Sequence, residues 1–120
     1  MEIVVLAKQP WNEAPDKALA REIVSPRNSR CTSHSIAQIR IPEGVEVTEH
    51  YHRIAEEVYH VTAGRGMMTL AGEARVLEPG DTVVIRVGER HKISALPGAD
   101  LEMIVTCVPA WSVDDQYFGA

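Results

Sequence analysis

Short runs of alternating apolar and polar residues cover much of the chain and predict β-strands. Ala37, Ile39 and Ile41 alternate with polar neighbours, and a two-residue apolar period recurs at 83–87 and 101–105. A period of two places alternate side chains on one face of a strand, whereas a helix repeats its apolar face every three or four residues. Valine, isoleucine and threonine are frequent in these runs, and their branched Cβ atoms suit a pleated sheet.

Turn signals containing glycine or proline separate the predicted strands. They occur at Pro42–Gly44, Ala63–Gly66, Ala71–Glu73, Glu78–Asp81, Val87–Arg90 and Leu96–Ala99. Short strands between closely spaced turns are typical of an all-β sandwich or barrel. Residues 12–23 alone look weakly helical, and because Pro15 lies inside them we interpret them as a loop or a short helical turn. The apolar run Ile3–Leu6 is an N-terminal strand or loop, and as a strand it is available for pairing with a second copy of the chain.

The length of 120 residues, without repeats or a linker, indicates one domain over residues 1–120. The segment from Pro109 onward carries Trp111, Tyr117 and Phe118, which are half of the chain's six aromatic residues. Large apolar side chains are rarely left in contiguous exposed patches. We therefore expect this tail to pack on the barrel or on a partner chain.

The bulk charge and hydropathy exclude several classes of function. A net charge of -5 and an isoelectric point near 5.5 disfavour a nucleic-acid partner. No apolar run approaches the roughly 20 residues that span a bilayer, which disfavours a membrane partner. The start of the chain lacks an export signal, so we expect a cytoplasmic protein whose Cys31 and Cys107 are buried free thiols.

Candidate metal chemistry comes from the five histidines, of which three are placed like ligands. His50 and His52 are two residues apart, so on a strand both imidazoles point to one face. Glu57 begins the next strand-like run, and His91 begins another after the turn at Gly88. Imidazole nitrogens and a carboxylate together suit a divalent first-row transition metal.

The spacing of these residues resembles the paired motifs of the cupin superfamily. Gly44, His50, His52, Glu57 and Gly64 occur with gaps of five, one, four and six residues, which matches the first motif at every defined position. The second motif matches in part, with Gly80, Gly88 and His91 present, while Arg86 replaces its proline and Ala95 its asparagine. The short stretch between the two motifs and the sequence at 56–64 are similar to those of small single-domain bacterial cupins, including mannose-6-phosphate isomerase-like ones.

The resemblance implies a double-stranded β-helix, or jelly-roll barrel, over about residues 30–113, with a metal inside one mouth. Carried over by position, the metal ligands are His50, His52, Glu57 and His91. Glu56 is the alternative to Glu57, since the family allows a gap of three or four residues. The implied cofactor is one divalent transition metal, and Mn, Fe, Ni, Co, Cu and Zn all accept such ligands.

Other polar residues are weaker candidates for a role in catalysis or substrate binding. Tyr59 shares a strand face with Glu57 and is the candidate acid–base group. Gln38 and Arg40 could bind an anionic substrate, but alternation with Ile39 favours an outward or interfacial position. His34 and His60 have no partner by spacing, and we interpret them as hydrogen-bonded surface residues.

A metal with open positions suits an enzyme that acts on a small oxygen-rich substrate, such as a sugar or a carboxylate. The cupin resemblance implies isomerase, decarboxylase, lyase or dioxygenase chemistry. The alternative is a non-catalytic small-molecule-binding or sensor cupin. Small cupins usually protect their sheet edges by pairing, so we expect a homodimer.

Overall fold

The computed structural model describes residues 1–119 and consists of two antiparallel β-sheets that face each other. The strands, in chain order, are β1 (Asn12–Glu13), β2 (Leu19–Val24), β3 (Ser35–Ile41), β4 (His50–Tyr51), β5 (Glu56–Ala63), β6 (Gly66–Leu70), β7 (Glu73–Leu77), β8 (Thr82–Ile85), β9 (His91–Ala95), β10 (Leu101–Val108) and β11 (Tyr117–Phe118). The six-stranded sheet has the order β1-β2-β3-β10-β5-β8, and the five-stranded sheet has the order β11-β4-β9-β6-β7. This arrangement confirms the predicted all-β jelly-roll barrel.

Two 3-10 turns, Leu6–Lys8 and Val113–Asp115, are the helical elements of the described chain. Within residues 1–119, no helix is long and apolar enough to cross a bilayer.

The core lies between the sheets because the alternating strands turn their apolar faces inward. Met103 on β10 is paired with Ile39 on β3 and with Val61 on β5, so three apolar side chains form one row across the larger sheet. Ile93 on β9 is fully buried on the facing sheet. Two packed sheets with alternating inward residues are the usual construction of such a barrel.

The predicted turns lie between the strands, and the glycine of the β5–β6 turn shows why that position is restricted. Gly64 has a φ of +73°, and a Cβ built there would lie 2.2 Å from the carbonyl oxygen of Asp100. A residue with a side chain would meet both backbone strain and a backbone clash.

The prediction for residues 12–23 was wrong. They form the β1–β2 hairpin, which extends the larger sheet beyond β3 through the pairs Ala20–Ile39 and Arg21–Gln38. The hairpin turn accommodates Pro15, and the next sheet edge supplies the hydrogen-bond partners of β2. Pairing along a strand outweighs a weak helical propensity, which is small for any one residue.

Of the two N-terminal alternatives, a strand or a loop, no strand forms at Ile3–Leu6 in the described chain. Leu6–Lys8 closes a 3-10 turn instead, with Lys8 N–H donating to the Val5 carbonyl at 3.0 Å. The side chains of Ile3 and Val5 are exposed.

The C-terminal tail lies against the barrel. Tyr117 and Phe118 pair with Tyr51 and His50, so β11 adds an edge to the smaller sheet beside β4. The rings of Tyr117 and Tyr51 stack with their centroids 5.4 Å apart. The tail therefore covers the strand that carries the first predicted metal ligand.

Candidate metal centre

The four predicted ligands lie together at one mouth of the barrel. His50 begins β4 and is paired directly with His91 at the start of β9, while Glu57 lies near the start of β5 in the facing sheet. His52 follows β4 and completes the group. Each of the four residues offers one ligand atom, and these atoms all lie within 4.8 Å of one another. The four residues are 0–5% exposed, so the cluster is shielded from bulk water.

Backbone carbonyls fix the orientation of all three imidazoles. The Nδ1 atom of His50 lies 2.7 Å from the Thr48 oxygen, that of His52 lies 2.9 Å from the Asp115 oxygen, and that of His91 lies 2.9 Å from the Glu89 oxygen. Because a carbonyl can only accept, each Nδ1 donates its proton. In the neutral imidazole, the lone pair is then on Nε2, which is how metal-ligating histidines are usually held.

The Nε2 atoms and the Glu57 carboxylate meet without satisfying one another. His52 Nε2 and His91 Nε2 lie 3.3 and 3.2 Å from Glu57 Oε1. All three atoms are buried, and none has a partner in hydrogen-bond geometry. Buried polar atoms are nearly always paired, so this convergence of lone pairs is a place that could hold a cation. Nitrogen and carboxylate donors without a cysteine ligand fit a divalent transition metal.

The site's pKa shifts reflect burial and the contacts with Glu57. Burial alone would raise the pKa of the Glu57 carboxyl, but its polar contacts with His52 and then His91 lower it overall. Burial opposes the charged form of His52 as well, yet Glu57 raises the pKa of this imidazole above its ordinary value. Burial and the neighbouring His91 lower the pKa of His50. The carboxylate is therefore ionised at neutral pH and available as a ligand.

Strand alternation decides between the two adjacent glutamates. Glu57 is buried and faces the histidines, whereas Glu56 is exposed. The second carboxylate oxygen of Glu57, Oε2, accepts a hydrogen bond from the Cys107 thiol at 3.3 Å. Burial, reinforced by Glu57, raises the pKa of Cys107, so this cysteine remains a thiol donor.

Tyr59 lies beside the cluster on the same face of β5 as Glu57. Its ring is buried, and its centroid lies 5.9 Å from that of His91. Burial and the nearby Glu57 raise the pKa of the Tyr59 phenol well above its ordinary value. The phenol is therefore protonated at neutral pH and can serve as a hydrogen-bond or proton donor.

Gln38 and Arg40 lie on the other face of β3, away from the cluster. Gln38 accepts hydrogen bonds from Arg21 at 2.7 and 3.2 Å, and Arg40 forms an ion pair with Glu102 at 2.7 Å. Arg40 also lies over the Trp11 ring. Side chains alternate between the two faces of β3, which favoured this outward placement. The structure therefore does not bring the two residues to the predicted ligands.

The remaining histidines and the second cysteine are outside the cluster. His60 is exposed and bonded to Thr82 Oγ1 at 2.8 Å, and His34 contacts Ser33 and Cys31. Both cysteines are free, but Cys31 is only half-buried, which corrects the expectation that both thiols are buried.

The sequence analysis did not predict two aspartates that lie at the site. Asp16, in the β1–β2 hairpin turn, is buried, and its Oδ2 lies 3.6 Å from His50 Nε2. Its carbonyl accepts from Thr48 N–H at 2.9 Å, which ties the hairpin to the segment before β4. Asp115 accepts from the N–H groups of Arg53, Ile54 and Ala55 at 2.9–3.0 Å. No local pattern marks either residue, because each contact joins distant parts of the chain.

A cavity of about 530 Å³ opens beside the cluster, between the hairpin and the inner face of the larger sheet. His50, Glu57, Tyr59 and Asp16 all line it. This volume lies within the usual range for small-molecule sites. The candidate metal centre therefore faces a space large enough for a small molecule.

Comparisons with known proteins agree with this architecture. The chain is 31% identical over 100 residues to an uncharacterised protein of Methanocaldococcus jannaschii, covering 83% of this chain and 80% of that protein. The structure of this chain is similar to that of KdgF from Halomonas sp., with a TM-score of 0.79 and 20% identity over 95% of this chain and 97% of that one. It is also similar to a predicted oxalate decarboxylase from Thermotoga maritima, with a TM-score of 0.78 and 19% identity over 90% of this chain and 99% of that one. Residues 37–109 match the cupin domain family, and the chain therefore belongs to that family.

Proposed function

We propose that this cupin binds one divalent transition metal through His50, His52, Glu57 and His91 and is a metal-dependent enzyme acting on a small molecule. The observation that carries the proposal is the convergence of buried lone pairs on His52 Nε2, His91 Nε2 and Glu57 Oε1 without hydrogen-bond partners. This arrangement is costly unless a cation satisfies it, and a metal held beside a cavity can act on a molecule bound there.

His50, His52, Glu57 and His91 would hold the metal, which would supply a Lewis acid for oxygen atoms of a substrate. Two further groups of the protein line the cavity beside the cluster. Tyr59 offers a protonated phenol on β5, and Asp16 offers a carboxylate from the hairpin turn. Such a pair can hold the oxygens of a substrate in place and move a proton to or from them.

The closed surroundings support catalysis as well as binding. The Thr48–Asp16 hydrogen bond ties the hairpin to the segment before β4, and the four residues of the cluster are buried. Electrostatic interactions are stronger in such a water-poor site than at an exposed one. Isomerisation, elimination and decarboxylation all develop charge on substrate oxygens, and this site is suited to stabilising such charge.

The test is elemental analysis of the purified chain beside the variants His50→Ala, His91→Ala and His60→Ala. We expect about one metal ion per chain in the wild type and in His60→Ala, whose histidine is exposed, and loss of the metal in the other two. All of Mn, Fe, Co, Ni, Cu and Zn are measured. Unchanged metal content in His50→Ala and His91→Ala, with circular dichroism confirming that both fold, would contradict the ligand assignment.

Catalysis is tested separately with the metal-loaded chain. A screen of small carboxylates and hydroxyacids for turnover, with His50→Ala as the inactive reference, separates an enzyme from a binding protein. Saturable binding of a compound without any chemical change would favour the non-catalytic alternative.

A further inference from the structure

The walls of the cavity beside the metal cluster are largely apolar. Between its polar ends they are formed by Ile39, Ile41, Val47, Ile93, Met103 and Val105. Four of these side chains come from β3 and β10 of the larger sheet, Ile93 comes from the smaller sheet and Val47 from the loop before β4, so the apolar lining is formed mainly by the larger sheet. Apolar surface that faces a cavity is stabilised by contact with an apolar ligand.

Small side chains create the space on the side of β2 and β3. Ala18, Ala20 and Ala37 line the cavity, and Ala20 is paired across the strands with Ile39. Ala37 lies beside Val105 of β10 in the middle of the larger sheet. Larger apolar residues would be compatible with these strands, but they would fill the space. The volume of the cavity therefore depends on these three alanines.

Most polar side chains at the outer end of the cavity are already engaged with the protein. Arg27 contacts Glu22 and donates to the Trp111 carbonyl at 2.7 Å. Asn28 accepts from Ser25 N–H at 2.8 Å and donates to Gln9 at 3.2 Å. Their hydrogen-bonding capacity is therefore used to hold the mouth together rather than left free for a ligand.

One buried polar atom beside the cavity lacks a partner, while the exposed side chains of Asn12 and Glu13 also line it. Gln116 lines the cavity, and its Oε1 is buried without a hydrogen bond. A buried amide oxygen without a partner is costly, and a ligand O–H or N–H would satisfy it. Apart from the groups around the metal cluster and the exposed Asn12 and Glu13, the cavity thus offers one buried free acceptor.

We infer that the substrate has an apolar, ring-sized body with its oxygen atoms gathered at the end that faces His50, Glu57 and Tyr59. This deepens the proposed function and rests on it for the oxygen-binding end. A sugar carries hydroxyl groups around its whole body, and against these walls they would lose water without gaining partners. The cavity therefore favours a planar aromatic or alicyclic acid, enol or phenol over a sugar.

The test compares two probes that each carry a carboxylate with a neighbouring hydroxyl, on the β carbon in the first and on the α carbon in the second, and that have different bodies. 1-Hydroxy-2-naphthoate has an apolar bicyclic body, and D-gluconate has a polyhydroxylated chain. Isothermal titration calorimetry is performed with the full chain, both loaded with Zn²⁺ and metal-free. We expect the naphthoate to bind the Zn²⁺-loaded chain at least tenfold more tightly than gluconate. Equal or tighter binding of gluconate would overturn the inference.

Wall variants test whether the naphthoate occupies this cavity. Ala37→Leu fills the space without touching a predicted ligand, and it is expected to weaken naphthoate binding at least tenfold at unchanged Zn²⁺ stoichiometry. Ala74→Leu, on the exposed face of β7, is the matched control and should bind like the wild type. Ala20→Leu replaces Ala37→Leu if thermal melting shows that the latter does not fold. Undiminished naphthoate affinity in the folded wall variant would refute the assignment.

The metal-free arm separates this inference from the proposed function. Failure of the chain to take up Zn²⁺ would refute the metal site. Even without Zn²⁺ uptake, the apolar cavity would be supported if naphthoate binds the metal-free chain and Ala37→Leu weakens that binding. Zn²⁺ uptake together with a preference for gluconate would leave the metal site intact and refute the apolar-substrate inference.

Discussion

In all three site histidines, Nδ1 donates to a backbone carbonyl and Nε2 faces a carboxylate. The Nε2 atoms of His52 and His91 face Glu57, and that of His50 faces Asp16. The anchoring fixes the ring orientation before any metal binds, so little side-chain entropy is lost on binding. Protons and the metal then compete for the same Nε2 lone pairs.

This competition predicts the pH dependence of metal binding. Although burial lowers it, the pKa of His52 is raised above its ordinary value by Glu57. At a pH below that pKa, a metal can therefore bind only after a proton has left His52. We expect Zn²⁺ affinity to fall as the pH falls through the raised pKa, by about tenfold per pH unit for each displaced proton. Competition titrations against a chelator between about pH 5 and pH 8 measure this. An affinity that stays constant over the range would contradict the prediction.

Cys107 is predicted to position the metal-ligating carboxylate. Its thiol donates to Glu57 Oε2 at 3.3 Å, which leaves Oε1 facing the histidines. Loss of such an outer hydrogen bond commonly lowers metal affinity by about 10–100-fold. We therefore expect Cys107→Ala to bind Zn²⁺ at least about tenfold more weakly, measured by chelator competition, while Cys107→Ser, which keeps a donor, stays closer to the wild type.

Cys31→Ala is the control for thiol removal, because Cys31 is half-buried beside His34 and outside the cluster. It should bind Zn²⁺ like the wild type. Equal affinities for Cys107→Ala and the wild type would show that Glu57 is held in place without the thiol.

At the residue scale, the cluster of His50, His52, Glu57 and His91 could be predicted because each member is marked by its spacing from a turn or from its neighbour. His50 begins β4 and His52 directly follows that strand, while Glu57 is the second residue of β5 and His91 begins β9. Asp16 and Asp115 could not be predicted in this way. They meet the site through contacts between segments separated by tens of residues, which no periodicity records.

At the scale of elements, the C-terminal tail acts as a clamp on the loop that carries His52. The Asp115 carboxylate accepts from three consecutive N–H groups of residues 53–55, and its carbonyl accepts from His52 Nδ1. The loop between β4 and β5 has no ladder of its own to satisfy these donors. The tail therefore supplies hydrogen bonds that the loop would otherwise lack.

We predict that Asp115→Asn destabilises the fold by about 1–3 kcal/mol, because one amide nitrogen would face backbone donors in place of an acceptor. The free energy of unfolding is measured by urea denaturation of the metal-free protein. Asp114→Asn, an exposed neighbour, is the control and should change stability by less than about 0.5 kcal/mol. Similar stabilities for the two variants would mean that the clamp contributes nothing.

The β1–β2 hairpin shows why one element could not be predicted. Ala14, Ala18 and Ala20 have high helix propensity, and their spacing gave a weak helical pattern. Their small size serves another purpose in the fold, since all three line the cavity. Alanine at these positions is explained by the cavity, for which small side chains leave room, and not by a helical backbone.

The whole molecule leaves an apolar N-terminal arm exposed. Ile3 and Val5 are 72% and 44% exposed, and Met1 is fully exposed. Val5 has an extended backbone, and residues 1–5 form no strand within the chain. The neighbouring sheet edge, β1, is only two residues long. An extended arm with alternate apolar side chains suits a position against a second copy of the chain.

We therefore predict a homodimer that buries this arm, detectable by sedimentation velocity at micromolar concentration. Burying an isoleucine or a valine contributes about 1.5–3 kcal/mol, so the double variant Ile3→Lys, Val5→Lys should raise the dimer dissociation constant at least about tenfold. The control is Val76→Lys on β7, where an apolar side chain is 40% exposed at the far edge of the smaller sheet. Dissociation caused by the control instead of the arm variant would place the interface at β7. A wild-type monomer would contradict dimerisation altogether and would leave the apolar arm to another partner.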